Sequence, residues 1–156
     1  MIYILGSNGY VGTAFRKALT QRNIRYKGID REIYTDETLL TMLLKNNPDK
    51  VDFVINCAGY TGKPNVDACE LDKANCLQGN AVLPGIIARA CQEAGDELSS
   101  IPFGHVSSGC IYNGRNWRSN GWTEEDTPNF SFRSKDGCSW YSGTKALGEE
   151  VLANYN

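Results

Sequence analysis

In the stretch SWYSGTKALGEE at positions 139–150, Tyr141 and Lys145 stand four residues apart. If the stretch is helical, both side chains lie on one face, because four residues make slightly more than one turn. A phenol titrates near 10, too high to release a proton at neutral pH. A nearby ammonium, or an oxidised nicotinamide, favours the phenolate and lowers that value, so the pair suits acid–base work. HVSSGCIY at 105–112 adds Ser107 and Ser108 at what reads as the carboxyl end of a strand, where open α/β sheets collect ligands. Ser108 can hold a substrate oxygen there while Tyr141 passes it a proton and hydride moves at carbon. His105 lies three residues before Ser108, so strand alternation turns it to the other face and it reads as structural.

These side chains must be positioned by a scaffold, and its first piece is the amino end. MIYIL is a short apolar run of β-formers that stops at glycine, as a buried strand does. GSNGYVG follows, with Gly6, Gly9 and Gly12 three apart, and then a helical pattern through Val11, Phe15, Ala18 and Leu19. Glycines in a strand–turn–helix allow a tight turn and a close approach of backbone to a pyrophosphate, which the helix N-terminus then attracts. The alternative is a glycine turn that only packs strand on helix. The order strand, turn, helix, strand favours dinucleotide binding, with Gly6, Asn8, Gly9, Tyr10, Val11 and Gly12 as contacts. Asp30 ends the second strand, RYKGID, where a carboxylate can accept both ribose hydroxyls of NAD and repel a 2′-phosphate. Arg31 follows at once and could cradle that phosphate instead. NAD(H) is favoured, and NADP(H) is left open.

Further along, TDETLLTMLLKNNPD predicts a helix capped by Thr35 or Asp36, with an inward face of Leu39, Leu40, Leu43 and Leu44, ending at Pro48. VDFVINCAG and IPFGHVSS predict two more buried strands. Residues 73–94 predict one long helix, bent where Pro84 removes a backbone donor. Residues 113–138 form a long polar loop of the kind that often serves as a lid or binding loop. Its aromatic residues Trp117, Trp122 and Phe130, with the adjoining Trp140, either close over a sugar or base or pin the loop to the core. Strands apolar on both faces, alternating with helices, predict a parallel sheet wrapped by helices.

The chain has 156 residues, 41% hydrophobic and 22% charged, with a formal net charge of −2. That fits one ordinary soluble domain and argues against a nucleic-acid footprint. No apolar run approaches the roughly 18 residues of a membrane span, so a cytoplasmic protein is expected. The six cysteines include no C-x-x-C pair and there is one histidine, so no metal site is expected and most thiols read as buried and reduced.

Taken together, GSNGYVG, NCAG at 56–59, SSGCIY and YSGTK resemble the extended short-chain dehydrogenase/reductase family, and in the family's order. The resemblance implies a Rossmann-type doubly wound parallel sheet in three αβα layers over residues 1–156, lacking the C-terminal substrate domain. It implies Ser108, Tyr141 and Lys145 as the catalytic triad. It also implies cofactor contacts along Asn56, Cys57, Ala58, Gly59 and Tyr60 and from Asn80, as well as from Tyr141 and Lys145. AGYTGKPNVDACE and GCIYNG…TEEDTPNF further resemble dTDP-4-dehydrorhamnose reductases and the plant-type nucleotide-rhamnose 3,5-epimerase/4-reductases. By that resemblance the substrate is a 4-keto-6-deoxy nucleotide-sugar. Cys110, two residues after Ser108, stands where a related epimerase/reductase carries an epimerisation cysteine; the other reading is a small packed residue. Members run to about twice this length and pair as homodimers through the helices at about 73–94 and 140–155; in the shorter chain apolar residues such as Ile86, Ile87 and Leu147 are expected to need that cover. A non-catalytic dinucleotide-binding sensor or regulatory subunit is the alternative function.

Overall fold

The computed structural model describes residues 1–96, 99–116 and 121–155. Four short strands make one parallel sheet: β1 (Ile2–Leu5), β2 (Tyr26–Ile29), β3 (Phe53–Asn56) and β4 (Phe103–His105), in the order β2-β1-β3-β4. Ile2 is level with Tyr26 on one side and Phe53 on the other, and Asn56 is level with His105. The carboxyl ends of β1, β3 and β4 therefore meet along one edge.

The helices are α1 (Tyr10–Gln21), a single turn α2 (Arg31–Tyr34), α3 (Glu37–Lys45), α4 (Lys73–Leu77), α5 (Leu83–Ala94) and α6 (Trp140–Leu152). From β1 the chain steps one way to β2, and from β2 it steps back the other way to β3 and β4. Right-handed crossovers then put α1 on one face of the sheet and α3 and α5 on the other. The main core lies on that second side, where Tyr3, Leu5 and Val54 of the sheet meet Leu40, Leu44, Leu83 and Ile87.

Two helices differ from expectation. Asp36 caps α3, its carboxylate accepting the Leu39 amide at 3.0 Å, but the helix ends at Lys45, before Pro48. Its buried face is Leu40, Thr41 and Leu44, while Leu39 is 46% exposed. Leu40 and Leu44 turn inward because they pack with Leu83 and Ile87 of α5, with Leu43 at the edge of that contact, and the partly exposed Arg89–Glu37 ion pair joins the same two helices. Between α4 and α5 the backbone runs as a π-turn over Gln78–Val82. Pro84 falls in the first turn of α5, where its missing N–H costs least, so the break precedes the proline. This π-turn packs on α6 so closely that a Cβ on Gly148 would stand 2.2 Å from the Asn80 carbonyl oxygen.

Of the apolar residues expected on an uncovered face, Ile87 is fully buried within this chain. Only Ile86 and Leu147 of the three keep partial exposure. Among the described residues no helix is long and apolar enough to cross a membrane, and no cluster of His, Cys, Asp and Glu could hold a metal ion.

Candidate active site

The glycine turn is built around three different constraints. Gly6 has φ +71°, and a Cβ on it would lie 2.7 Å from the Ala58 amide nitrogen. A Cβ on Gly12 would lie 2.3 Å from the Gly6 carbonyl oxygen. Both glycines thus let the β1 end, the β3 end and α1 come together. Gly9 is the N-cap of α1 and lines the groove described below; a Cβ on it would stand 3.3 Å from the Gly6 carbonyl oxygen, close enough that the turn would have to give slightly. No side chain caps this helix end, so its first amides remain available to an anion.

A groove of about 450 Å³ opens here, lined by Gly6, Gly9, Arg31, Cys57, Ala58, Gly59 and Tyr60 among the residues expected to touch a cofactor. Asn8, Tyr10, Val11, Gly12, Asp30, Asn56 and Asn80 do not line it. Asn8 accepts a hydrogen bond from Arg16 at 3.2 Å, and Tyr10 is 96% exposed. Asp30 is the exposed N-cap residue of α2, directly before Arg31. Asn56 and Asn80 are both fully buried and act from beneath. Asn56 accepts the Ala58 amide at 2.9 Å, and its own amide meets His105 Nδ1 at 2.9 Å. Asn80 accepts the Tyr60 amide and donates to the Tyr60 carbonyl, each at 2.9 Å, with further contacts to Cys76 and Thr144. These two asparagines hold the 57–60 backbone that forms the groove wall.

The groove also takes Asp72, Asn75, Gln78 and Gly79, which sequence reading missed. Asn75, Gln78 and Gly79 share one helical face, the signal that could have found them. The Tyr60 hydroxyl donates to Asp72 at 2.5 Å, and that bond pushes the Tyr60 phenol up to about 12.

Ser139 caps α6, its hydroxyl accepting the Ser142 amide at 3.1 Å. Trp140 fixes the helix start: its backbone amide donates to Glu70 at 2.6 Å and its indole to the Lys73 carbonyl at 2.9 Å. The helix then buries Tyr141 (9% exposed) and Lys145 (4%) on one stripe. The Ser108 hydroxyl contacts the Tyr141 phenol, and the Lys145 ammonium donates to the Val106 carbonyl at 2.9 Å. A Cβ on Gly59 would stand 3.8 Å from Lys145 Nζ, so the triad adjoins the groove at Gly59.

The phenol does not behave as expected. Burial pushes Tyr141 above the usual tyrosine value, and the Ser108 hydrogen bond only partly offsets this. Lys145 spends its ammonium on Val106, and burial pulls it below the usual lysine value. In the free chain Tyr141 is therefore a protonated donor at neutral pH, the form that reduction of a carbonyl requires.

Cys110 is exposed in a 3₁₀ turn (Gly109–Ile111), its amide donating to Ser108 Oγ at 3.2 Å, so the packed-residue reading fails for it. Cys57 lines the groove and burial raises its thiol. Cys69, Cys76 and Cys91 are buried, and all six cysteines are free.

The long loop is pinned rather than loose where it is described. Trp122 stacks on Tyr112 at 5.3 Å and donates to the Gly114 carbonyl at 3.1 Å. The Phe130 amide donates to the Ile111 carbonyl at 2.9 Å. Phe132 lies over Gly143, where a Cβ would be 2.3 Å from its ring, and tilts against Trp140. Trp117 lies outside the described residues.

His105 is held neutral. The Asn56 amide donates to Nδ1, which leaves the ring proton on Nε2, and burial pulls the imidazole down to about 4, aided by Lys145. A folded value below the unfolded one, about 6.5, gives stability that is fully present above 6.5 and is lost as pH falls toward 4. Urea unfolding is expected to show up to roughly 3 kcal/mol lost across that window, and His105→Gln should flatten the profile. An unchanged slope in the variant would assign the acid loss to other groups.

Comparison with known proteins places this geometry. The RmlD substrate binding domain family matches residues 1–156. A bifunctional dTDP-4-dehydrorhamnose 3,5-epimerase/dTDP-4-dehydrorhamnose reductase of Arabidopsis thaliana is 33% identical over 97% of this chain and 47% of its own. A dTDP-4-dehydrorhamnose reductase ortholog from Clostridium acetobutylicum superposes with a TM-score of 0.75 at 27% identity, over 99% of this chain and 49% of its own. The L780 UDP-rhamnose synthase of Acanthamoeba polyphaga mimivirus shares the fold, with a TM-score of 0.79 at 24% identity, over 99% of this chain and 52% of its own. The chain thus spans about half the length of the curated relative and of these solved structures. Matched over residues 1–156, which hold the glycine turn, the parallel sheet and the Tyr141–Lys145 helix, the chain belongs to the RmlD substrate binding domain family.

Proposed function

We propose that this chain is a dinucleotide-binding and proton-donating unit of a nucleotide-sugar reductase acting on a 4-keto-6-deoxy sugar. The observation that carries the reading is the junction at Gly59, where the groove below the α1 N-terminus meets Lys145 and, through it, Tyr141 and Ser108.

The residues fit a nicotinamide dinucleotide. The uncapped α1 end and Gly9 in the groove lining suit a pyrophosphate, and the 57–60 wall leads from there to the triad. A reduced nicotinamide, when bound, supplies the hydride. Ser108 holds the 4-keto oxygen by hydrogen bonding, and Tyr141 gives that oxygen its phenolic proton. Lys145 follows one helical turn on, on the same face of α6, its ammonium held by the Val106 carbonyl. Asp30 favours NAD(H), because an exposed carboxylate at the end of β2 accepts ribose hydroxyls and repels a 2′-phosphate. Arg31 keeps NADP(H) as the second cofactor to test.

Cys110 extends the reading to epimerisation. A 4-keto group acidifies the hydrogens on its neighbouring carbons, and an exposed thiol two residues from Ser108 can move such a proton. In a chain of the relatives' full length, Cys110→Ser is expected to spare reduction and abolish exchange of those hydrogens with deuterated water. Persistence of the exchange would leave a reductase alone. The intact Ser108–Tyr141–Lys145 set supports an enzyme over a non-catalytic binding module. We place the protein in the cytoplasm and pair it as a homodimer through the α4–α5 stretch and α6. Light scattering that stays monomeric at high concentration would rule out that pairing.

A further inference from the structure

A second groove, of about 480 Å³, has Ser108 in its lining and two unlike sets of side chains beside it. The first set is apolar. Ile111 is buried, and Tyr112 and Trp122 form a stacked pair with ring centres 5.3 Å apart and planes 10° from parallel. Hydrogen bonds brace both rings. The Tyr112 hydroxyl shares its proton between the Asp126 carbonyl at 2.8 Å and the Thr123 carbonyl at 3.0 Å, and the Trp122 indole donates to the Gly114 carbonyl at 3.1 Å. The Asp126 carboxylate accepts the Thr123 amide at 2.8 Å, so the turn that carries Trp122 and Glu124 is held at the groove.

The second set is polar. Glu124 and Glu149 line the groove, and neither makes an ion pair among the described residues. Ser107 lines it too, and its buried Oγ has no hydrogen-bond partner. Gly109 adds room: a Cβ there would meet nothing within 4 Å.

This lining selects its ligand by chemistry. Ionised carboxylates only accept hydrogen bonds, so Glu124 and Glu149 call for donors. Two anions in one groove repel a diphosphate, while a rigid aromatic pair favours a ligand with an apolar face. A 6-deoxyhexose satisfies both sets, with hydroxyls that donate and a C–H face and methyl group that pack on rings. The groove also adjoins the chemistry, because the Ser108 hydroxyl that lines it contacts the Tyr141 phenol.

We propose that this groove is the hexose subsite of the reductase, with the Tyr112–Trp122 pair carrying the apolar face of the sugar and Glu124 accepting its hydroxyls. Its purpose rests on the nucleotide-sugar reading above, which it refines. The sugar enters beside Ser108, and the diphosphate and base stay outside the acidic lining. Glu124 is then a specificity-determining residue, rewarding a sugar that keeps its ring hydroxyls.

The test titrates the chain with methyl α-L-rhamnopyranoside and follows the tryptophan indole N–H resonances, that of Trp122 being assigned through Trp122→Phe. The sugar is expected to move the Trp122 resonance and to leave that of Trp140, whose indole is held by the Lys73 carbonyl. Glu124→Gln should weaken the sugar by about 10-fold, the scale of a hydrogen bond to a charged group. Gly109→Val should abolish the shift by filling the groove, and both variants should keep the parent's melting temperature and NAD(H) affinity. Uridine diphosphate alone should leave Trp122 unmoved. A Trp122 resonance that ignores the sugar or answers to uridine diphosphate, or a Glu124→Gln variant that binds the sugar as tightly as the parent, overturns the subsite. The nucleotide-sugar reading is checked apart from it, by ketone reduction in a chain of the relatives' full length. Turnover there with a silent Trp122 here would sink the subsite and spare that reading.

Discussion

Tyr141→Phe, in a chain of the relatives' full length, is expected to slow reduction of a 4-keto-6-deoxy nucleotide-sugar by about 10²–10⁴-fold. That range corresponds to roughly 3–5 kcal/mol of lost transition-state stabilisation. The substitution keeps the ring, which packs against Cys69 and Cys76, and removes only the hydroxyl that meets Ser108. The loss should therefore appear in kcat, with cofactor affinity and thermal unfolding hardly moved. A variant that reduces the ketone at the parent rate would remove Tyr141 from proton transfer. Because burial keeps the phenol protonated, the parent's rate should not require low pH to hold the donor in its acid form.

Much of this site was legible because it depends on backbone geometry. Gly6 and Gly12 are demanded by approaches that no side chain survives, and a strand ending in such glycines has few other uses. The shared helical face of Tyr141 and Lys145 was legible from their spacing, and Ser139 starts α6 where the pattern predicted, though their pairing for chemistry was read from the rest of the chain. The strands were legible as short apolar runs bounded by turns.

What stayed hidden depends on tertiary packing. A π-turn has the composition of a helix, so Gln78–Val82 could not be told from its neighbours, and with it went the true placement of Pro84 and Asn80. Asn80 was read as a cofactor contact, but its amide is spent on the Tyr60 backbone. Leu39 and Leu40 are equally apolar, and only contact with α5 decides that Leu40 turns inward. The direction of the Tyr141 shift was misjudged because the lysine was counted and the burial was not.

The central claim is that the turn at Gly9 receives the pyrophosphate of a nicotinamide dinucleotide, and Gly9→Val tests it most directly. Gly9 has φ −74° and ψ 175°, extended backbone that valine adopts without strain. A Cβ there meets one neighbouring atom, the Gly6 oxygen at 3.3 Å, and valine would stand at the groove that Gly9 lines, beside the amides that open α1. Folding should survive, unlike at Gly6 or Gly12, where backbone stands in the way. Titration calorimetry of the chain is predicted to show NAD(H) binding, tighter than NADP(H), and no binding heat with Gly9→Val of unchanged melting temperature. A folded Gly9→Val variant that binds NAD(H) as tightly as the parent would contradict the account.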